Sequence, residues 1–248
     1  MKSFLKNKNM QLYAGIIFGV LTVVILVVVF SGEKKTAQTA PSPSAQNEPE
    51  GFTFFDIGIQ SKLTDDVRES LSDKLGSDAI ERSIPLDLNV NYPGFLKDHF
   101  KELDELNRRL NFPIGERIEH NIIKLEYRHT QKKKVPFEFV ELIFSGYTQN
   151  PLVFRILSNK EGALIVDTIK KKYGEFKVIE WDQGKGRSLY WERDKSILII
   201  SIGQDRYGDP EYYTVIYYTP NIQKLWLKEK QEAKNREEEI KKKGKTAF

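Results

Sequence analysis

The stretch Lys177–Ile202, KVIEWDQGKGRSLYWERDKSILIISI, decides the fold class, because it contains three predicted strands joined by short turns. Lys177–Trp181 and Arg187–Arg193 flank the sequence DQGKG, which is typical of the turn in a β-hairpin. Ile197–Ile202 is apolar on both faces, which predicts a strand in the interior of its sheet. Strands that follow one another across such short turns pair in antiparallel fashion.

Alternation along this hairpin predicts that its two faces carry different side chains. The first face is expected to hold Ile179, Trp181, Leu189 and Trp191. The second is expected to hold Glu180, Ser188 and Tyr190. Most aromatic residues of the last third should fill the sheet core, where aromatics are favoured, but some could stack on a partner. The candidate interaction surface consists of Trp181, Arg187, Tyr190, Trp191 and Tyr207.

Outward from this hairpin, apolar spacing predicts further strands and helices. The remaining predicted strands span residues 52–59, 84–90, 117–129, 135–147, 152–157 and 211–219. The predicted helices span residues 64–75, 96–110 and 161–173. Thr64 is expected to cap the first helix and Gly76 to end it, and Ser158 with Glu161 is expected to form a capping box at the start of the third. Strands joined by turns, with helices in blocks, predict an α+β fold on a mainly antiparallel sheet with about three packed helices.

Charge divides the predicted domain, which extends over residues 52–226. The whole chain of 248 residues carries a net charge of +4, but residues 1–35 alone account for it, with five lysines against one glutamate. The rest is neutral in total, with −6 over residues 36–111 and +6 over residues 112–248. An acidic lobe (52–111) packed on a strand-rich basic lobe (112–226) and one continuous sheet both fit this pattern.

A membrane anchor is predicted near the N-terminus. Residues 12–30, LYAGIIFGVLTVVILVVVF, contain no charge, and a bilayer core about 30 Å thick needs about 20 apolar residues in a helix. This apolar run is longer than that of a cleavable signal peptide, and no A-x-A cleavage site comes directly after it. Both features favour an uncleaved signal anchor. Gly15 and Gly19 form a G-x-x-x-G pattern, a candidate for self-association of the chain into a homo-oligomer.

The lysines on either side of the anchor predict its orientation. Residues 1–11 carry three lysines and no acid, which places them in the cytoplasm under the positive-inside rule. The remaining chain would then lie in a periplasm, outside a bacterial inner membrane. Residues 31–51 are rich in Pro, Ser and Gln, a composition typical of a linker. A net-neutral domain in that location argues against nucleic acid as a partner.

The last segment, residues 227–248, contains strong helix formers and almost no apolar stripe. Glu237, Glu238 and Glu239 stand four residues before Lys241, Lys242 and Lys243, an orientation that favours helical ion pairs. We predict a charged helix that either projects into solvent or docks on a partner.

No catalytic motif is present, so the sequence nominates no catalytic, cofactor-binding or metal-binding residue. His99, His120 and His129 are expected to act independently, because the last two are nine residues apart on one predicted strand and face opposite sides. We expect a non-enzymatic, membrane-anchored binding or assembly domain that contacts another envelope protein or a cell-wall component. The alternatives are a hydrolase of envelope polymers, whose carboxylates converge only in the fold, and a periplasmic ligand sensor.

Overall fold

A single antiparallel sheet of eight strands organises the computed structural model, which describes residues 51–184 and 186–246. The strands are β1 (Ala79–Ile84), β2 (His120–Tyr127), β3 (Phe139–Ser145), β4 (Pro151–Ser158), β5 (Lys177–Trp181), β6 (Gly186–Arg193), β7 (Ser196–Gln204) and β8 (Pro210–Tyr217). The helices are α1 (Asp65–Leu75), α2 (Phe95–His99), α3 (Lys101–Leu110), α4 (Gly162–Tyr173) and α5 (Thr219–Thr246). The predicted α+β class is confirmed.

The strand order, β1-β2-β3-β4-β8-β7-β6-β5, shows two four-stranded meanders that meet where β4 pairs with β8. Helix α4 connects the two meanders along the chain. Since β1 belongs to the acidic part of the chain and pairs with β2 of the basic part, one continuous sheet includes both.

The predicted hairpin over residues 177–193 forms as β5 and β6, and β7 is an interior strand, as predicted. The expected distribution of its side chains is wrong. Trp181 pairs with Gly186 and Ile179 with Ser188, so Ile179 and Trp181 share a face with Ser188 and Tyr190 rather than with Leu189 and Trp191. Four residues separate the two strands. With an even number of residues in the turn, each odd-numbered residue of β5 pairs with an even-numbered residue of β6, and paired residues point to the same face.

Both faces of the sheet are covered. The α1 face is the side covered by α1, α4 and residues 51–63, and its core includes Leu71, Phe144, Phe154 and Ile200. The α3 face is the side covered by α2, α3, residues 84–91 and the start of α5. Its core comprises mainly Leu86, Leu88, Phe95, Leu103, Leu110, Ile143, Val153, Ile199, Val215 and Ile222.

Residues 52–59 do not form the predicted strand, because the chain reverses at Phe55 and Asp56, whose φ angles are 47° and 65°. Only an isolated bridge between Phe54 and Ile57 remains. Buried side chains bind the carbonyl groups that a strand would have paired. The hydroxyl of Tyr218 lies 3.2 Å from the carbonyl oxygens of both Phe52 and Ile57.

Of the strand predicted over residues 84–90, only Ile84 belongs to a strand, because β1 ends there. The rest of β1, residues 79–83, is not predicted from the spacing of apolar residues. The alternation nevertheless predicted burial correctly, since Leu86, Leu88 and Val90 are buried. Side chains hold this extended segment across the α3 face. Asn107 Oδ1 accepts a 2.9 Å bond from the Leu88 amide, and the Tyr217 hydroxyl donates a 2.7 Å bond to the Leu88 carbonyl.

The predicted helix ends are partly confirmed. Thr64 caps α1 with a 3.3 Å bond from the amide of Val67, and Gly76 ends the helix. The predicted capping box of α4 is absent, because Glu161 makes no side-chain cap and Ser158 belongs to β4. The helix predicted over residues 96–110 is divided into α2 and α3 at Phe100, whose φ of −135° and ψ of 67° are not helical.

Helix α5 starts eight residues earlier than the predicted tail at 227. Its first turns contribute Ile222 and Leu225 to the core of the α3 face, and Trp226 packs against that core. From residue 233 to residue 245 every side chain is exposed. The charged tail is therefore the continuation of a core helix.

The predicted cytoplasmic segment 1–11, the membrane anchor 12–30 with Gly15 and Gly19, and linker residues 31–50 lie outside the described residues. Among the residues that the structure does describe, no helix is both long and apolar enough to cross a bilayer.

Replacing Asn221 with alanine should destabilise the domain by about 1–3 kcal/mol, the cost of leaving buried polar groups unpaired. The buried Asn221 amide donates to the carbonyl oxygens of Ile59 at 2.8 Å and Pro151 at 3.0 Å. Urea unfolding measures the change, with the exposed Gln223→Ala on the same helix as the control. Equal stability of the two variants would contradict this role of Asn221.

Candidate functional site

A groove of about 490 Å³ opens where α5 crosses the end of the sheet at which β2 begins and β3 ends. We call it the α5 groove, and its walls come from α3, the loop 111–119, β2 and α5. Its main lining side chains are Arg109, Phe112, His120, Tyr147, Trp226 and Arg236. The groove thus combines aromatic surface with three cationic side chains, Arg109, Lys230 and Arg236, and with two acidic ones, Glu119 and Glu229.

Trp226 is the central aromatic residue of the α5 groove. The guanidinium carbon of Arg109 lies 5.0 Å from the centre of its rings, and the ammonium of Lys230 lies 5.1 Å away. Such contacts hold both cations against the indole, and Arg109 also pairs with Glu105, whereas Lys230 has no carboxylate partner among the described residues. A ligand that carries both a negative charge and an apolar part would find partners for each.

Polar contacts fix α5 against the sheet beside the groove. Glu229 Oε2 accepts a 2.7 Å hydrogen bond from Nδ1 of His120, and Oε1 accepts a 2.9 Å bond from the Asn121 amide. The Tyr147 hydroxyl donates a 2.7 Å bond to Glu232, and burial together with this bond raises the pKa of Tyr147 to about 12. These side chains set the position of the charged helix.

His120 and Glu229 have the arrangement of a histidine oriented by a carboxylate, which in enzymes supports general base catalysis. His120 is only 2% exposed, however, and its Nε2 atom is enclosed with no hydrogen-bond partner among the described residues. A substrate cannot reach that nitrogen in this conformation. The pair therefore positions α5.

The loop 111–119 borders the groove with exposed apolar side chains. Phe112 is 71% exposed and Ile114 is 90% exposed. The sequence predicts a helix that ends at residue 110 and a strand that begins at residue 117, which leaves this loop between them. It misses the groove, because the predicted last helix begins at residue 227, after Trp226. Thr219-Pro220 was an available signal, since proline is favoured in the first turn of a helix.

The structure divides the five residues of the predicted interaction surface among three places. Trp181 and Tyr190 lie on the α3 face, whereas Trp191 belongs to the core of the α1 face. Arg187 is exposed and lines a small cleft beside α4, on the α1 face. Tyr207 is exposed in the turn between β7 and β8, at the opposite end of the sheet from the α5 groove.

The two tryptophans of the hairpin make structural contacts. The Trp181 indole donates a 2.9 Å bond to Ser188 Oγ, and its ring lies against Gly186, where a Cβ atom would approach it to 2.3 Å. The Trp191 indole donates a 2.9 Å bond to the Gly174 carbonyl. Packing thus accounts for the orientation of both indoles.

Carboxylates converge on the α3 face, where Glu126 of β2 is paired in register with Glu141 of β3. The ammonium of Lys124 lies 2.6 Å from Glu126 and 3.8 Å from Glu141, and Arg155 lies 2.5 Å from Glu141. The hydrogen bond from Lys124 lowers the pKa of Glu126 despite its burial. Glu126 therefore stays ionised, whereas a general acid needs a raised pKa.

Within residues 51–184 and 186–246, no three histidine, aspartate or glutamate side chains are grouped closely enough to hold a metal ion. His120 is engaged with Glu229, and His99 lies 3.3 Å from the Tyr92 hydroxyl.

Acid should weaken the domain through Glu126. Because its folded pKa lies below the ordinary value of 4.5, its contribution to stability is present above pH 4.5 and is lost as the pH falls through the folded pKa. Glu126→Gln should cost about 1.5–3 kcal/mol at pH 7 and less at lower pH. Urea unfolding between pH 7 and pH 3 measures this, with exposed Glu69→Gln as the control. A constant cost at all pH values would contradict the assignment.

No family model, curated protein or solved structure matches this chain. What the domain binds must therefore be inferred from its own surfaces.

Proposed function

We propose that this chain is a single-pass membrane protein whose α+β domain is a non-enzymatic binding or assembly module outside the cytoplasm. Residues 1–11 lie in the cytoplasm, residues 12–30 span a bacterial inner membrane, and residues 31–51 link the anchor to the domain in the periplasm. The uncharged run LYAGIIFGVLTVVILVVVF and the lysines before it support this topology.

The observation that carries the binding function is the α5 groove. It is open to solvent, its aromatic floor is flanked by two oriented cations, and an exposed apolar loop borders it. Aromatic and arginine residues supply much of the binding energy at protein interfaces. The partner is another envelope protein, or a cell-wall component, that offers acidic groups next to apolar ones.

The exposed part of α5 extends the same surface. A helix of 28 residues is about 42 Å long, and residues 233–245 have exposed side chains. Lys228 with Glu232 and Lys234 with Glu238 form ion pairs four residues apart, which support the helix without packing. This segment provides a charged rod on which a partner can dock.

The converging carboxylates Glu126 and Glu141 support the alternative of an envelope-polymer hydrolase. In that case Glu126→Gln would abolish hydrolysis of cell-wall polymer by the full-length chain under conditions in which the destabilised variant is still folded. The ion pairs with Lys124 and Arg155 favour a structural role for these carboxylates instead.

The topology is tested by a reporter that is active only outside the cytoplasm, fused after Phe248. We expect an active reporter in cells, and an inactive one after the same fusion to a chain lacking residues 12–30. A reporter that is expressed but inactive in the intact chain would refute the proposed location.

Binding through the groove is tested by a photo-cross-linking amino acid placed at Ala233, an exposed position that lines the groove, in the full-length chain in living cells. We expect a discrete cross-linked complex from position 233 and none from position 171, an exposed lysine site on α4. A chain that also carries Trp226→Ala should lose the complex. Equal cross-linking from both positions would contradict a specific groove.

Removing residues 237–248 should leave the melting temperature unchanged. The contacts of α5 described above, to His120, Asn121 and Tyr147, all involve residues before 237. If the rod is a docking surface, the same truncation weakens the cross-linked complex at position 233. An unchanged complex would remove the docking role of the tail, and a large fall in melting temperature would contradict its exposure.

A further inference from the structure

We infer that the loop 111–119 docks on the surface of the lipid bilayer, inserting Phe112 and Ile114 between the headgroups. The inference rests on the proposed function, because it requires a domain tethered to a membrane. It names a second contact between the chain and the membrane, separate from the predicted anchor.

The first observation is the apolar tip of the loop. Phe112 and Ile114 are 71% and 90% exposed and are separated by one residue. Large apolar side chains that protrude from a turn gain by leaving water, and aromatic residues favour the interface between headgroups and hydrocarbon. The other strongly exposed apolar residues, such as Leu164, Tyr207 and Ile240, are distant from each other in the chain.

The second observation is the charge around the tip. Lys230 and Arg236 line the groove beside Phe112 and have no carboxylate partner among the described residues. Within the loop, Glu119 pairs with Arg117 at 3.2 Å, which leaves Glu116 as the loop's acid without a partner. Glu229, which also lines the groove, accepts hydrogen bonds from His120 and the Asn121 amide. The unpaired cations Lys230 and Arg236 can each contact the phosphate of an anionic lipid.

The third observation is the place at which the linker joins the domain. The Gly51 amide donates a 3.1 Å bond to Asp194, in the turn between β6 and β7. Because neighbouring strands are antiparallel, this turn and the start of β2 at His120 lie at the same end of the sheet. The linker therefore enters the domain at the end that carries the loop.

The distances are compatible with a bilayer contact. Strands β2 and β7 occupy the second and sixth positions of the sheet, so about 19 Å separate them at a spacing of about 4.8 Å. Residues 31–50 can span at most about 70 Å when fully extended. The predicted anchor thus keeps this end of the sheet within reach of the membrane.

Two apolar side chains bind a bilayer only weakly by themselves, as a single lipid-binding signal generally does. A tether removes that limitation, because it makes the second contact intramolecular and raises its effective concentration. The loop therefore orients the domain on the membrane, with the α5 groove close to the headgroups.

The absence of cysteine allows a direct test with the full-length chain in lipid nanodiscs. Ile114→Cys is labelled with an environment-sensitive fluorophore, and Leu164→Cys, a 68% exposed apolar site on α4, is the matched control. The discs contain phosphatidylcholine alone or mixed with phosphatidylglycerol. We expect a blue shift and quenching by headgroup-level spin-labelled lipid at 114, stronger with the anionic lipid, and neither effect at 164.

Two further variants separate the contributions. Phe112→Ser in the Ile114→Cys chain should reduce the shift, and Lys230→Glu with Arg236→Glu should remove the preference for anionic lipid. A chain that enters the discs but shows no shift at 114 would overturn the loop contact and leave the anchor intact. A chain that does not enter the discs would overturn the anchor and the inference with it. A shift that appears only after a second protein is added would assign the loop to that protein.

Discussion

The central strands are buried on both faces, and this burial dictates how the remaining segments pack. Strands β3, β4, β7 and β8 are largely buried, so each side of the sheet needs its own covering layer. Helices supply part of each layer, but the segments 51–63 and 84–91 complete them without joining the sheet. A backbone packed in that way has lost its water and its strand partners, and it needs other hydrogen bonds.

Side chains from the sheet and the helices supply those bonds. Tyr217 and Asn107 bind the backbone of Leu88 on one face, and Tyr218 and Asn221 bind residues 52–59 on the other. The tyrosine-rich strand β8 and the start of α5 therefore have a structural purpose that their composition alone does not reveal. Burial of the sheet and hydrogen bonding of the irregular segments are coupled, because the side chains that pack in the core also bind the backbone of those segments.

Helix α5 connects the core to the candidate site. Its first turns are buried, and Glu229 and Glu232 then accept hydrogen bonds from the end of the sheet, which direct the helix past it. The groove exists because the helix leaves the sheet at a fixed position beside the loop 111–119. The domain thus presents its aromatic, cationic and apolar groups together at the end of the sheet where Gly51 contacts Asp194.

The sequence alone determined the α+β class, the antiparallel hairpins and most of the buried positions, because each follows from local periodicity and turn chemistry. Alternation even identified Leu86, Leu88 and Val90 as buried, although they are not in a strand. It could not determine which residues share a face of the β5–β6 hairpin, since that depends on one register set by the turn. The same register separates Trp181 from Trp191, whereas Tyr190 and Trp191 are neighbours on one strand and Tyr207 lies in the turn between β7 and β8. The α5 groove was decided only in the tertiary structure, because it is assembled from elements far apart in the chain whose meeting depends on long-range packing.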